Sequence, residues 1–366
     1  MSNTRHTTEG SEHATPDNPA VEAAMSRDII NIPDNVIQDG IGGYTEEQQD
    51  LLQWAVSYGR HDLGNSRDRL CQAIGCDWTT LTRVLTGKYG AAIETFCEKI
   101  KEMQVVAAES FETGFVETVV TRRISELLDY ALSGDLDGGK VVMIVGPTGR
   151  SKSETVKHWC RRDNHGRSVY VDCPESGGLG AFFRELAIQT GVNGNRSTND
   201  LRDRLIKSFN RRRILVVDEV ARLLPSRRVA RIPVELEFIR RLHDVRRCAV
   251  ALVATPIFDQ EMNSGWLQQY MEQMLGRCDP LFIPAEPRRD EIRDICTAYV
   301  KRPSRELVAL ALQISREKGR LRVLFDLMKK AGVVARKRGE DLDVKHLDAA
   351  YQRRKNRTVW PEDSAA

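Results

Sequence analysis

Residues 146–153 read Gly-Pro-Thr-Gly-Arg-Ser-Lys-Ser, placing two glycines, a lysine and a terminal hydroxyl within one short loop. Such a loop can turn successive backbone N–H groups onto an anion where a helix begins, because the unpaired amides and the helix dipole there favour negative charge. Lys152 adds a cation on a flexible stem that can reach the outer oxygens of a phosphate chain. The Ser153 hydroxyl is a hard oxygen ligand of the kind magnesium takes. The glycine usual before such a lysine is absent, and Ser151 stands in its place. If the backbone must be left-handed at that point, a serine costs about 1–2 kcal/mol. That is small beside the charge-assisted contacts a triphosphate makes, so binding is expected to be weakened and not lost.

A second chemical feature lies some sixty-five residues further on, in RRRILVVDEVARLL (211–224). Asp218 and Glu219 leave the end of an apolar run. The first can hold the hydration shell of a magnesium ion, and the second can orient or deprotonate an attacking water. Taken together, ATP and magnesium are the expected cofactors. Gly146, Pro147, Thr148, Gly149, Arg150, Ser151, Lys152, Ser153 and Glu154 would surround the nucleotide, with Asp218 beside them. Ser153 and Asp218 would hold the metal, and Lys152 and Glu219 would act on the reaction.

The elements needed to position these groups are visible around them. Short apolar runs recur as VVMIV (141–145), SVYVD (168–172), ILVVD (214–218), VALVA (250–254) and LFIP (281–284), separated by helical stretches. Runs of this kind suit buried parallel strands, and their alternation predicts an α/β fold with a five-stranded parallel sheet covered by helices on both faces. From about 285 to 350 only helical patterns follow, which predicts a small helical lid.

Upstream, DRLCQAIGCDWTTLTRVLTGKYG (68–90) carries a different signal. Leu70, Ala73 and Ile74 form one apolar stripe, Gly75 permits a tight turn, and Asp77 can cap a second helix holding Leu81, Val84 and Leu85. Gly87 then ends that helix. Two short helices about a glycine turn fit a helix-turn-helix, whose second helix can enter the major groove of DNA. Thr79, Thr80, Thr82, Arg83 and Lys88 lie off the apolar stripe and can donate to phosphates or base edges. A helical bundle that packs on protein is the other reading of the same pattern.

Composition narrows the class further. The 366 residues contain no apolar run long enough to cross a bilayer and no basic-then-apolar leader, so a cytoplasmic protein without membrane attachment is expected. Eight cysteines lack metal-type spacing, which suits free thiols. Residues 1–44 hold seven acids against two bases, so the remainder carries a surplus of eight positive charges that suits a polyanionic partner.

With these motifs in hand, the chain resembles the AAA+ ATPases over roughly residues 119–350. Gly-Pro-Thr-Gly-Arg-Ser-Lys-Ser follows that family's GPPGTGKT/S, departing at Thr148, Arg150 and Ser151. The resemblance implies a sensor-1 role for Thr255 in ALVATP, a trans-acting arginine finger at Arg277, and a sensor-2 role for Arg322 in GRLR, with Arg320 the other choice. A finger acts on a neighbouring subunit, so it also implies a homo-oligomer with sites at the interfaces. Ala-Ile-Gly and Leu-x-Arg-x-Leu-x-Gly in residues 73–87 resemble the helix-turn-helix of the Cro/repressor class.

A repressor-like helix-turn-helix ahead of such a module resembles the Mu B-type transposition ATPases and the related TnsC and IstB proteins. ETVVTRRISELLDYAL and LEFIRRLHD are similar to that group's local sequence. The resemblance implies assembly on double-stranded DNA with ATP as a ring or helical filament, recruitment or stimulation of a DDE transposase, and disassembly on hydrolysis. The expected organisation is a disordered acidic tail (1–44), a helix-turn-helix DNA-binding domain (45–90), a helical connector (91–118), the ATPase core (119–284), the lid (285–351) and a basic tail (352–366). Residues 222–247 hold eight arginines against three acids, and Arg227, Arg228 and Arg231 are the preferred DNA-backbone contacts there. Two other classes fit parts of the pattern. One is a transcription regulator with an ATP-controlled oligomerisation switch, and the other is a DNA-binding module that has lost ATPase activity through Ser151.

Overall fold

Strands form at each of the valine- and isoleucine-rich runs. The computed structural model describes residues 28–358 apart from 112–114, 134–138, 163–165, 176–179, 195–196, 225–232, 264–267, 269–271 and 273–275. Strands β1 (Val141–Val145), β2 (Ser168–Asp172), β3 (Ile214–Asp218), β4 (Ala249–Ala254) and β5 (Cys278–Phe282) make one parallel sheet in the order β2-β3-β4-β1-β5. The three inner strands β1, β3 and β4 are buried along their whole length, as a two-face-covered parallel sheet requires. The fifth strand begins three residues before the LFIP run. At the sheet edge, polar Cys-Asp-Pro needs no apolar cover on both faces, and Pro280 is tolerated because an edge strand spares one N–H partner.

Helices α6 (Val119–Leu132) and α7 (Lys152–Arg162) cover one face of the sheet through Ile124, Leu128, Val156 and Trp159. The other face is covered by α8 (Ala181–Thr190), α9 (Thr198–Lys207), α10 (Val234–Arg246) and α11 (Pro256–Met262), whose Phe182, Leu205, Leu236 and Met262 share the second apolar layer. The lid consists of α12 (Arg289–Tyr299), α13 (Arg305–Arg316), α14 (Arg320–Lys337) and α15 (Val344–Thr358) around their own core. The basic segment expected as a tail from 352 continues α15 through Thr358, because buried Tyr351 and Leu347 fix that helix to the lid.

The N-terminal unit is larger than its pattern implied. Five helices, α1 (Asp34–Ile41), α2 (Glu46–His61), α3 (Arg67–Ile74), α4 (Trp78–Leu85) and α5 (Glu94–Phe111), share one core. Residues 28–44, assigned to a tail by their polar composition, contribute Ile30, Ile32, Ile37 and Ile41 to it; residues 1–27 lie outside the described part. The stretch expected as a connector likewise packs inside, through Phe96, Ile100 and Met103 of α5. The turn forms as read: Gly75 ends α3 at φ 72°, and Asp77 caps α4 by accepting from Thr80 N–H at 2.8 Å. Ala73 is exposed, since Cys71 fills the place in the stripe expected for it.

This unit is fixed to the sheet by charge. Asp34 of α1 lies between Arg60 of α2 at 2.5 Å and Arg213 at 2.7 Å, all three nearly inaccessible, and Arg213 is the residue just before β3. Burial pushes the Asp34 carboxyl upward, but Arg213 and Arg60 outweigh it and hold the group below the usual carboxylate range. Asn210 adds a hydrogen bond to Gln38 at 2.6 Å.

Candidate nucleotide site

The loop 146–151 joins the end of β1 to the start of α7, the strand–loop–helix arrangement that aims backbone N–H groups at an anion. Two of its residues are left-handed: Gly149 at φ 82° and Ser151 at φ 59°. The substituted position therefore does adopt the geometry that a serine resists. Gly146 is packed closely as well, since a Cβ there would stand 2.9 Å from Ile283 Cβ. Ser151 O accepts from Thr155 N–H at 3.0 Å and from Thr155 Oγ1 at 2.7 Å, which ties the serine to the first turn of α7.

Lys152 is buried beneath the loop, with Nζ donating to Gly146 O at 2.6 Å and Pro147 O at 3.1 Å. Burial pushes its pKa down, Glu219 and Asp218 pull it up, and Arg150 and Arg320 push it down again, with a net lowering. The ammonium is thus held by carbonyl oxygens among charges of both signs. Ser153 is half-buried at the second position of α7, and Pro147 and Thr148 line the loop. Glu154 is exposed on the same first turn, where a carboxylate suits the helix dipole.

Asp218 ends β3, next to β1's neighbour β4, and is 2% exposed. Both of its oxygens are engaged: Oδ2 accepts from Tyr170 OH at 2.7 Å, and Oδ1 accepts from Glu219 N–H at 2.9 Å. Tyr170 comes from the middle of the adjacent strand β2, with Lys157 Nζ 5.4 Å from its ring centre. Burial, and then the Asp218 carboxylate, push the phenol far above its ordinary range, so it remains a donor. Glu219 is half-buried and left-handed at φ 52°, which turns its side chain out of the strand direction at the sheet's C-terminal edge. Non-glycine residues in this conformation cluster at functional sites.

Among the described residues there is no group of three or more His, Cys, Asp and Glu that could hold a metal alone. The buried Asp218 carboxylate and the Ser153 hydroxyl at the start of α7 are oxygen ligands of the kind magnesium takes, and that ion keeps several waters and arrives on phosphate oxygens. Thr255 follows β4, whose Ala254 pairs with Val145, so it stands beside the start of the loop; its hydroxyl makes no cap to α11.

Two expected placements differ, those of Arg150 and Arg322. Arg150 turns its guanidinium into the lid, donating to Glu291 Oε2 at 2.8 Å and Pro284 O at 3.0 Å, and is committed there instead of to a phosphate. The lid arginine that reaches the loop is Arg320, which donates to Thr148 O and to Ala285 O at 3.1 Å each, whereas Arg322 is exposed. The first helical residue after left-handed Gly319 aims back over the loop, and two residues later the helix has turned by roughly 200°. Arg277 precedes β5 and pairs with Asp244. Since Cys278 is level with Val141, one five-residue strand, roughly 17 Å, separates Arg277 from its own loop.

On the N-terminal unit, Thr79, Arg83 and Lys88 are exposed, while Thr80 Oγ1 donates to Asp77 Oδ2 at 2.7 Å and the Thr82 hydroxyl is buried. Arg227, Arg228 and Arg231 lie outside the described residues. Several other arginines of 222–247 are internal ties: Arg222 pairs with Asp172, Arg240 with Glu237 and Asp244, and Arg246 donates to Phe209 O. Tyr170 and Glu291 carried no signal of their own in the sequence; a lone tyrosine in the run beside the acidic strand was the nearest to one.

Residues 135–262, the stretch holding the loop, Asp218, Glu219 and Thr255, match a family model described as AAA domain (AAA_22). This part of the chain is similar to an AAA domain. With its five parallel strands, flanking helices and helical C-terminal region, the fold is the α/β P-loop core expected. No curated protein matches the chain. Among solved structures it is similar to Cdc6p from Pyrobaculum aerophilum, with 19% identity, TM-score 0.47, and coverage of 64% of this chain and 67% of that one. The RuvB Holliday junction branch migration motor of Thermotoga maritima shares 14% identity at TM-score 0.42, over 65% of this chain and 70% of its own. Drosophila ORC bound to DNA shares 16% at TM-score 0.42, over 68% and 64%. The chain thus spans about two thirds of the length of these structures. Among the described residues no helix is long and apolar enough to cross a membrane.

Proposed function

We propose that the chain is a cytoplasmic ATPase that assembles as a homo-oligomer on double-stranded DNA and there recruits or stimulates a DDE transposase. The observation that carries the ATPase reading is that Lys152, beneath a left-handed loop, lies in the electrostatic field of Glu219 and Asp218 at the end of a parallel strand. Lys152 exchanges its two carbonyl partners for phosphate oxygens. Ser153 and Asp218 would hold magnesium, which would neutralise charge on the phosphates when bound. Tyr170 fixes the Asp218 carboxylate, and Glu219 accepts a proton from water aligned on the terminal phosphate. Arg320 lies over the loop from the lid, and Thr255 offers a hydroxyl beside it. Arg277, remote from its own loop, would serve a neighbouring subunit, so hydrolysis loosens the contact between subunits and times their stay on DNA.

Exposed Thr79, Arg83 and Lys88 on and after α4 support DNA contact by the N-terminal unit, with Arg227, Arg228 and Arg231 as further backbone contacts. The same exposed face favours a second reading, a transcription regulator whose ATP site controls oligomerisation. A specificity ratio above roughly a thousand in competition binding identifies the regulator, and salt-sensitive binding with little sequence preference identifies the transposition protein. The deciding experiment for the whole scheme is ATP hydrolysis with and without duplex DNA, in the wild type and in Lys152→Ala. The variant should lose both turnover and ATP-dependent DNA binding. DNA binding that is equal with and without ATP in the wild type would refute the scheme.

A further inference from the structure

Four consecutive loop residues are held from outside the loop. Thr148 O accepts from Arg320, and Gly149 O accepts from Leu321 N–H at 3.2 Å, both at the start of α14. Arg150 is paired to Glu291 of α12, with both side chains 3% exposed or less. Ser151 is held by Thr155 on the other side. The lid and the first turn of α7 therefore grip the loop at adjacent points, with the left-handed serine between them.

A non-glycine residue keeps a left-handed backbone only where its surroundings over-determine it. The Arg150–Glu291 pair is the deepest of these restraints. It also has no evident value for stability alone, since a buried ion pair is often matched or exceeded by an apolar pair of similar volume. Its geometry is incomplete as well: Arg150 Nη1 is buried without a hydrogen-bond partner. An interaction this costly to bury, placed one residue before the strained serine, has a use in fixing geometry.

We propose that Arg150 and Glu291 are positioning residues that clamp the loop to the lid and thereby hold Ser151 in the left-handed conformation required for the loop amides to converge on phosphate. The proposal deepens the ATPase reading, on which its functional half rests. A glycine at position 151 would adopt this geometry without strain, so it would not need the clamp to pay for it. With serine there, displacing the lid frees the loop to relax, and the grip on phosphate depends on the lid being docked.

The test is a double-mutant cycle in the full-length chain, combining Ser151→Gly with the paired replacement R150M/E291L and, as a milder version, with Glu291→Gln. Two quantities are read: amide hydrogen exchange of residues 148–153 without nucleotide, and affinity for a fluorescent ATP analogue with magnesium. In the serine background the paired replacement should speed loop exchange and weaken nucleotide binding by about tenfold each, equivalent to about 1.4 kcal/mol. With S151G also present, the same replacement should change either quantity by less than about threefold. Equal changes in both backgrounds overturn the clamp. A wild type that binds no nucleotide sinks the ATPase reading instead, and the exchange arm still decides the clamp, whichever replacement folds.

Discussion

Tyr170 donates its hydroxyl hydrogen to Asp218 Oδ2 across 2.7 Å, linking the middle of one strand to the end of the next. With Oδ1 taken by the Glu219 amide, the carboxylate is held in one orientation before any cation reaches it. Tyr170→Phe leaves a buried oxygen without its donor, and hydrogen bonds to charged groups are worth about 1.5–3 kcal/mol. Nucleotide binding in the presence of a chelator should be unchanged, and the magnesium concentration needed for half-maximal tight binding should rise at least fivefold, or about 1 kcal/mol. A magnesium titration against a fluorescent nucleotide reads this directly; equal losses with and without the cation would refute it.

Arg277 and Lys152 belong to different ends of the sheet. An assembly that joins them across a subunit boundary predicts complementation: Lys152→Ala and Arg277→Ala are each inactive alone, and a mixture of the two recovers ATP turnover. Stability is not expected to confuse the result, because the exposed pair of Arg277 with Asp244 contributes within about 1 kcal/mol. A mixture as inactive as its components speaks against a shared site.

Asp34 neutralises two buried arginines from different units. Asp34→Ala should destabilise the chain by about 3–5 kcal/mol, because it leaves those charges uncompensated. Its folded-state pKa is lowered from 3.8, so the stabilisation is fully present above that pH and is lost as the pH falls below it through the folded value. Urea unfolding of wild type and variant at pH 7 and pH 3 should therefore show the difference shrinking at the lower pH. A difference that is constant with pH would count against the charge origin.

Gly87 ends α4 at φ 69°, and a Cβ there would overlap Gly40 O of α1. Gly87→Ala should lower the stability of the N-terminal unit by roughly 2–5 kcal/mol, the sum of left-handed strain and overpacking. DNA affinity should fall with it while nucleotide affinity stays within twofold or so. Limited proteolysis and DNA binding on one preparation separate the two effects.

Local features were the legible ones. The strand–loop–helix around Lys152, the acidic strand end, and the Gly75–Asp77 turn each depend on residues adjacent in the chain, and all formed. The missing glycine marked Ser151 as a position where a left-handed backbone would cost something, and the backbone there is left-handed. The contacts that complete the site were not. Tyr170 meets Asp218, Arg150 meets Glu291 and Arg320 meets Thr148 only once the sheet and lid exist. Composition misled where apolar residues were sparse but well placed, as with Ile30, Ile32, Ile37 and Ile41 in a polar stretch. It also hid the start of β5, because an edge strand tolerates polar residues.

The buried triad of Asp34, Arg60 and Arg213 makes the N-terminal helices a rigid extension of the sheet and not a head on a tether. In a stack of such subunits the heads recur at the pitch of the stack. Wherever they touch a duplex, the marks they leave would be evenly ruled, with an interval dictated by protein packing.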